Sequence, residues 1–268
     1  RIADPARSTS FSPAAQVYDA TRTVPAEVID AALERIERQT GSSAVHTRVL
    51  DLGCGTGQFS TALCTRGYAQ VLGMDISAEM LGMVAAKGGH CVLLAVGDAR
   101  HIGLASDSID LCVSSKLFLH IREWTDAVDE ILRVLRPQGS FAYVNESGFF
   151  NNPVRRRFRR LAADRGIRRR FPGPLRMDPV IERFTAAGCE HIQTPAQALS
   201  WDHSISFRAA FAELEARAFA EFWSIPEDIY GELLDEVAAW IRIQPDGWDK
   251  VEQMKPGLRI DLFRSPEH

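Results

Sequence analysis

From Thr47 to Phe141 the chain switches repeatedly between two hydrophobic rhythms. Short, nearly continuous apolar runs such as Val49-Leu50-Asp51-Leu52, Val71-Leu72-Gly73-Met74 and Val92-Leu93-Leu94-Ala95-Val96 alternate with longer segments whose apolar residues recur every three or four positions. Runs of the first kind suit strands buried on both faces, and segments of the second kind suit amphipathic helices. The pattern predicts strands over 48–52, 70–75, 91–96, 109–114 and 140–145, and helices over 57–66, 77–87 and 124–135. A further helix is predicted over 25–39, where Val28, Ile29, Ala32, Leu33 and Ile36 have helical spacing and Pro25 stands at a tolerated early position. Strands alternating with helices predict an α/β fold, a doubly wound, mostly parallel sheet with right-handed crossovers. Ligands of such sheets bind beyond the carboxyl ends of the strands, where Asp51, Asp75, Asp98 and Ser114 fall.

Beyond residue 146 the alternation stops. Residues 147–180 are rich in Pro and Arg and read as an insertion. A helix over 178–187 and a strand over 190–194 or 197–201 resume the sheet, and Leu258-Arg259-Ile260-Asp261-Leu262-Phe263 reads as its final strand. Between them, residues 205–242 form a helical stretch carrying Phe207, Phe211, Phe219, Phe222, Trp223, Tyr230 and Trp240. Aromatics at helical intervals make a core, and helices over about 205–245, inserted before the final strand, can lie across the carboxyl-end cleft as a lid. Residues 1–15, rich in Ala, Ser, Pro and Arg, are expected to be frayed, leaving 16–146 as the core and 181–268 as the completion of the sheet, one domain overall.

The first strand runs into Gly53-Cys54-Gly55-Thr56-Gly57, and the second ends at Asp75, 18 residues after Gly57. Glycines at this spacing expose backbone N–H groups at a helix N-terminus, and a carboxylate at the tip of the second strand can accept both hydroxyls of a ribose. A dinucleotide fingerprint would place its third glycine where Gln58 stands, and Asp51 would repel a pyrophosphate. The bland alternatives are a plain strand-to-helix turn for the glycines and helix capping for Asp51 and Asp75, although Ser77 is better placed to cap the helix after Asp75.

Asp51-Leu52-Gly53-Cys54-Gly55-Thr56-Gly57 followed by the Asp75 strand resembles the class I S-adenosylmethionine-dependent methyltransferases. Gly97-Asp98-Ala99, Ser108 to Ser115, Phe118-Leu119-His120-Ile121 and Glu130 to Ser140 extend the resemblance over roughly 45–146 and are similar to the ubiquinone- and menaquinone-biosynthesis-like branch. The resemblance implies a Rossmann-like sheet of seven strands and S-adenosyl-L-methionine as cofactor, with S-adenosyl-L-homocysteine as product. It places Gly53, Cys54, Gly55 and Gly57 along the cofactor, Asp51 near its amino group and Asp75 on its ribose, with Ile76 and Met80 beside it. It also places Asp98 at the adenine amino group, the Ala99 N–H at a ring nitrogen, and Ser114 or Ser115 under the methionine moiety. Tyr18 and Arg22 resemble an N-terminal pair that closes over the cofactor, and His120 stands where relatives carry a candidate general base. Either could equally be a surface or cleft-lining position.

Composition narrows this little. The 268 residues are 46% hydrophobic and 25% charged, with a formal net charge of −4. These values suit a globular chain and point to neither nucleic acid nor membrane. No run reaches the length of a membrane span, and the first residues lack the apolar stretch of a signal peptide. The five cysteines, 54, 64, 91, 112 and 189, form no Cys-x-x-Cys pair, so no metal site is expected, and their odd number suggests reduced thiols in a cytoplasm.

Charge is concentrated in one place. Ten arginines from Arg155 to Arg176, set against Asp164 and Asp178, give residues 151–180 a charge of +8 and leave −12 on the remainder. Such a segment can bind phosphates or carboxylates of an acidic acceptor or partner, can contact RNA, or can pair with acidic residues elsewhere in the chain. The expected function is therefore methyl transfer from S-adenosylmethionine to a small or medium organic acceptor at O, N or C. The alternatives are an RNA methyltransferase using the arginines, a non-catalytic S-adenosylmethionine-binding protein and, against Gln58 and Asp51, a dinucleotide-dependent oxidoreductase. Neither the acceptor nor the oligomeric state is legible.

Overall fold

The computed structural model describes residues 24–87, 91–148, 152–168 and 171–267. Helix α1 (Ala26–Thr40) leads into β1 (Arg48–Leu52), α2 (Gln58–Thr65), β2 (Gln70–Asp75), α3 (Ala78–Ala86), β3 (Val92–Val96), β4 (Ile109–Ser115), α4 (Trp124–Val134) and β5 (Leu135–Ser147). Then come α5 (Pro153–Asp164), α6 (Asp178–Ala186), β6 (Glu190–Thr194), β7 (His203–Ser206), α7 (Phe207–Glu215), α8 (Glu227–Arg242), β8 (Val251–Met254) and β9 (Gly257–Arg264). Seven strands form one sheet in the order β3-β2-β1-β4-β5-β9-β6. All neighbours are parallel except β9, which runs antiparallel to both β5 and β6. This is the mostly parallel sheet that the alternation predicts, with the seven strands that the resemblance implies.

The period of two along each strand sorts side chains into two cores. Val49, Val113, Val144 and Leu262 face α1 and α2, together with Ile36, Phe59 and Leu63. Leu50, Cys112, Tyr143 and Phe263 face α4 and α6, together with Val128, Ile131 and Phe184. Both faces of the central strands are therefore dry, which explains why they read as continuous apolar runs rather than alternating ones.

A third core belongs to the lid. Val154, Phe158 and Leu161 of α5 pack with Phe207, Phe211 and Leu214 of α7 and with Tyr230, Leu233 and Val237 of α8. The Arg-rich insertion and the aromatic stretch, separate in the sequence reading, thus form one body, because the apolar face of α5 packs on α7, α8 and the intervening Phe222. A two-stranded antiparallel ribbon, β7 with β8, forms the stem of the later segment. Of the two candidate strands, 190–194 supplies β6, while 197–201 overlaps a 3₁₀ turn, Ala196–Leu199.

Cys64 and Cys91 form a disulfide, with Cα atoms 5.9 Å apart, across the ends of α2 and β3. This corrects the expectation of five reduced thiols; Cys54, Cys112 and Cys189 are free and buried. No helix among the described residues is long and apolar enough to cross a membrane.

Candidate functional site

The turn between β1 and α2 needs its glycines for backbone reasons. Gly53, Gly55 and Gly57 take φ of +68°, +55° and +82°, a region that costs an L-residue about 1–2 kcal/mol. Gly57 has a second reason, since a Cβ there would lie 2.8 Å from the Val84 side chain, whereas one at Gly55 would meet nothing within 4 Å. Gly55→Ala is therefore expected to lose only the conformational term in urea unfolding. Gly57→Ala should lose that term plus the cost of displacing Val84, so equal losses would count against the packing argument.

Asp75 closes this turn from the side. Its Oδ2 accepts the Gly55 N–H at 2.8 Å and its Oδ1 accepts the Ser77 N–H at 2.9 Å. Ser77, through its hydroxyl, accepts the Met80 N–H and caps α3, so the cap falls to Ser77 rather than to Asp75. Burial raises the Asp75 pKa, partly offset by these N–H donors.

Gly53, Gly55, Asp75, Ile76, Met80, Asp98 and Ala99 line one end of a cavity of about 610 Å³ beyond the carboxyl ends of the strands. Ser115 and His120 line it further along. Asp98 is clamped by Arg100, whose Nη2 lies 2.6 Å from Oδ2, and Arg100 also reaches Glu123 at 2.8 Å. Burial alone would raise the Asp98 pKa, but the Arg100 hydrogen bonds and charge outweigh it and hold the carboxyl below its ordinary range. A fixed carboxylate is thus presented beside Ala99 at the tip of β3. The His120 ring packs edge-on against Phe171, with centroids 5.5 Å apart.

Four residues named for the cofactor do not line the cavity. Asp51 is buried and turned away from it, accepting the Ser60 N–H at 2.9 Å and the Ser60 hydroxyl. It does the work of an N-cap for α2, whose own cap residue, Gly57, has no side chain to offer. Cys54 is buried beneath the turn, against Gly73, where its small side chain fits. Gly57 lies on the α3 side of the turn, and the Ser114 hydroxyl donates to the Leu52 carbonyl at 2.7 Å, tying β4 to β1. Tyr18 and Arg22 lie outside the described residues.

Burial raises the Asp51 pKa to about 6, against a lowering by the Ser60 hydrogen bonds. A carboxyl whose pKa is higher folded than unfolded stabilises the fold most below its unfolded pKa, and the contribution disappears as pH rises through about 6. The span from 3.8 to about 6 corresponds to about 3 kcal/mol. Asp51→Asn keeps an acceptor for Ser60 without the charge. Its stability relative to the parent chain should therefore rise between pH 4 and 6 and level off above, as followed by urea unfolding at a series of pH values.

The far end of the cavity joins Arg155, from the arginine cluster, to Glu146, Glu221 and Arg259, which the sequence reading did not single out. Glu146, at the end of β5, is almost fully buried, and its Oε1 holds the Lys116 ammonium at 2.9 Å. Arg155 of α5 and Glu221 form a buried pair, with Nε 2.7 Å from Oε1, and Arg155 lies 3.7 Å over the Phe219 ring. Arg259 reaches the fully buried Asp261 at 2.8 Å, and the same carboxylate takes His191 Nε2 at 2.9 Å. All but Asp261, His191 and Phe219 line the cavity. The available signal was position: Glu146 and Arg259 follow or face the carboxyl end of β5, as Asp75 follows that of β2.

The sheet order and the glycine turn facing an acidic strand tip define the Rossmann-like fold of methyltransferases. The comparisons agree. Residues 50–143 match the model of a methyltransferase domain. A malonyl-[acyl-carrier protein] O-methyltransferase from Methylococcus capsulatus is 37% identical over 137 residues, covering 50% of this chain and 49% of the relative. Among solved structures, the YcgJ protein of Bacillus subtilis aligns over 89% of this chain and 100% of its own, with a TM-score of 0.58 and 18% identity. The [4+2]-cyclase SpnF aligns over 89% of this chain and 81% of its own, with a TM-score of 0.54 and 20% identity. Residues 50–143 therefore carry a methyltransferase domain, and the likeness to relatives named methyltransferases runs over about half of the chain. The matched stretches span about half or less of the length of the curated relatives.

Proposed function

We propose that the protein transfers a methyl group from S-adenosylmethionine to a small or medium organic acceptor enclosed under the lid. The observation that carries this reading is the Asp75 carboxylate poised across the Gly53–Gly55 turn at one end of a cavity whose other end is roofed by α5 and the segment around Glu221. In this reading Asp75 takes the ribose hydroxyls, exchanging or sharing its two backbone donors. Ile76 and Met80 flank the nucleoside, Asp98 and the Ala99 N–H read the adenine edge, and Ser115 passes under the methionine moiety. Asp51, Cys54, Gly57 and Ser114 shape the turn from beneath.

The sulfonium makes its methyl group electrophilic, so the chain's part is to hold donor and acceptor in line and exclude water. Such alignment supplies on the order of 7–11 kcal/mol in favourable cases. His120, at the cavity wall, is the side chain placed to take a proton from an acceptor that must lose one. The Methylococcus relative, by its name, methylates a carboxyl carried on a protein. The family match ends at residue 143, so Glu146, Arg155, Glu221 and Arg259 at the far end of the cavity lie outside it. The partner and RNA readings of the arginines have less support here, because Arg155, Arg159, Arg165 and Arg176 pair with acidic residues of the chain itself.

The test is calorimetric titration with S-adenosylhomocysteine beside NADH. Saturable one-to-one binding of the first and none of the second is expected. NADH binding with no response to S-adenosylhomocysteine would sink the proposal.

A further inference from the structure

The arginines of α5 divide into two sets. Arg155 lines the cavity and is paired with Glu221, while Arg156, Arg157, Arg159 and Arg160 line a separate groove along the helix, bounded by Pro153 and by Trp240 of α8. Arg159 shares Glu221 with Arg155, at 3.2 Å. Arg156, Arg157 and Arg160 have no acidic partner among the described residues, in contrast to Arg165, which pairs with Glu236, and Arg176, which pairs with Asp178. The Nε–H groups of Arg157 and Arg159 are buried and have no acceptor among the described residues.

This arrangement is costly for a helix. Positions 156 and 159, 157 and 160, and 156 and 160 are neighbours on the helical surface, and like charges at these spacings repel. Of the four, only Arg159 meets an acidic side chain among the described residues, Glu221, which is almost fully buried and also engaged by Arg155. Planar guanidinium forks suit phosphate oxygens, which they bind two at a time. The site is concave rather than a flat charged face, and it gathers the charge of four arginines within two turns of helix. A diphosphate or triphosphate carries a matching negative charge in a matching length.

We propose that this groove is a binding site for a di- or polyphosphate group, distinct from the cavity at the strand ends and independent of the methyl-transfer reading. The phosphates can come as a free polyphosphate or on a nucleotide, whose base would then reach Trp240.

The test uses the full chain and its Arg156→Ala/Arg160→Ala double variant, with Arg38→Ala as a control. Arg38 is exposed on α1 and paired with Glu34. Each protein is titrated calorimetrically with inorganic pyrophosphate and with ATP, and its thermal midpoint is read with and without pyrophosphate. The expected result is pyrophosphate binding that weakens at least about tenfold in the double variant and is unchanged in the control. A rise in midpoint with pyrophosphate is expected for the parent chain but not for the double variant. The substituted arginines are exposed, so circular dichroism of the double variant should match the parent. Arginine-dependent ATP binding much tighter than pyrophosphate binding would mark the source as a nucleotide, and equal binding would mark it as free polyphosphate. No response of the parent chain to either, equal affinity in the double variant, or arginine-dependent binding of an RNA oligomer without any of pyrophosphate would overturn the proposal.

Discussion

Asp75→Ala is expected to weaken S-adenosylhomocysteine binding by at least about 100-fold. Two hydrogen bonds from ribose hydroxyls to an ionised carboxylate contribute about 1.5–3 kcal/mol each, and the substitution removes both. The same change takes the acceptor from the Gly55 and Ser77 N–H groups, so the turn loses its side support as well. Asp75→Asn separates these effects, because its amide oxygen can still accept one N–H while the charge is gone. Its affinity should fall between the two. Burial raises the Asp75 pKa, so binding by the parent chain should also decline in acid as the carboxylate is lost, and the decline should be absent in Asp75→Ala. Calorimetry across a pH series reads all three outcomes, and near-parent affinity in Asp75→Ala would exclude ribose binding by this residue.

The second large effect is expected far from the cofactor end. Glu221→Ala leaves Arg155, whose side chain is 7% exposed, without the carboxylate that accepts its Nε–H at 2.7 Å. Removing one member of a buried pair costs about 3–5 kcal/mol, because the other charge stays buried. Arg155→Ala should cost less, since Glu221 then keeps Arg159 at 3.2 Å. The double variant should lose less than the sum of the two single losses, as members of one network do not add. Urea unfolding of the four proteins forms the cycle. Strict additivity would mean that the pair contributes nothing of its own.

The sequence makes the cofactor end legible and the acceptor end illegible for one physical reason. At the first four strands, the cavity lies where a continuous apolar run stops, and a single acidic residue at such a stop is visible by position alone, as at Asp75 and Asp98. At Asp51 the same reasoning named a residue whose carboxylate is spent on the helix that follows, because the glycine that the turn requires at the cap position cannot cap it. The acceptor end depends on pairs that the fold brings together across long separations: Lys116 with Glu146, Arg155 with Glu221, and His191 with Asp261. No periodicity records such pairs. The lid was half legible: the aromatic spacing announced a core, but not that the arginine-rich helix supplies its third side.

Strand order has a consequence for how the chain matures. β9 follows every other strand in sequence, yet it lies inside the sheet, bonded to β5 on one side and β6 on the other. During synthesis β5 therefore emerges with an open edge, and β6 has no neighbour until some sixty residues later, counted from its end to the start of β9. The segments of the third core, α5 before β6 and α7 and α8 within that interval, can meet each other before the sheet beneath them is complete. A nascent chain stopped short of Gly257 would expose an unpaired central edge, which is a template for pairing with another chain. Aggregation of such a fragment, rather than an independently stable nucleotide-binding half, is the behaviour that this topology dictates.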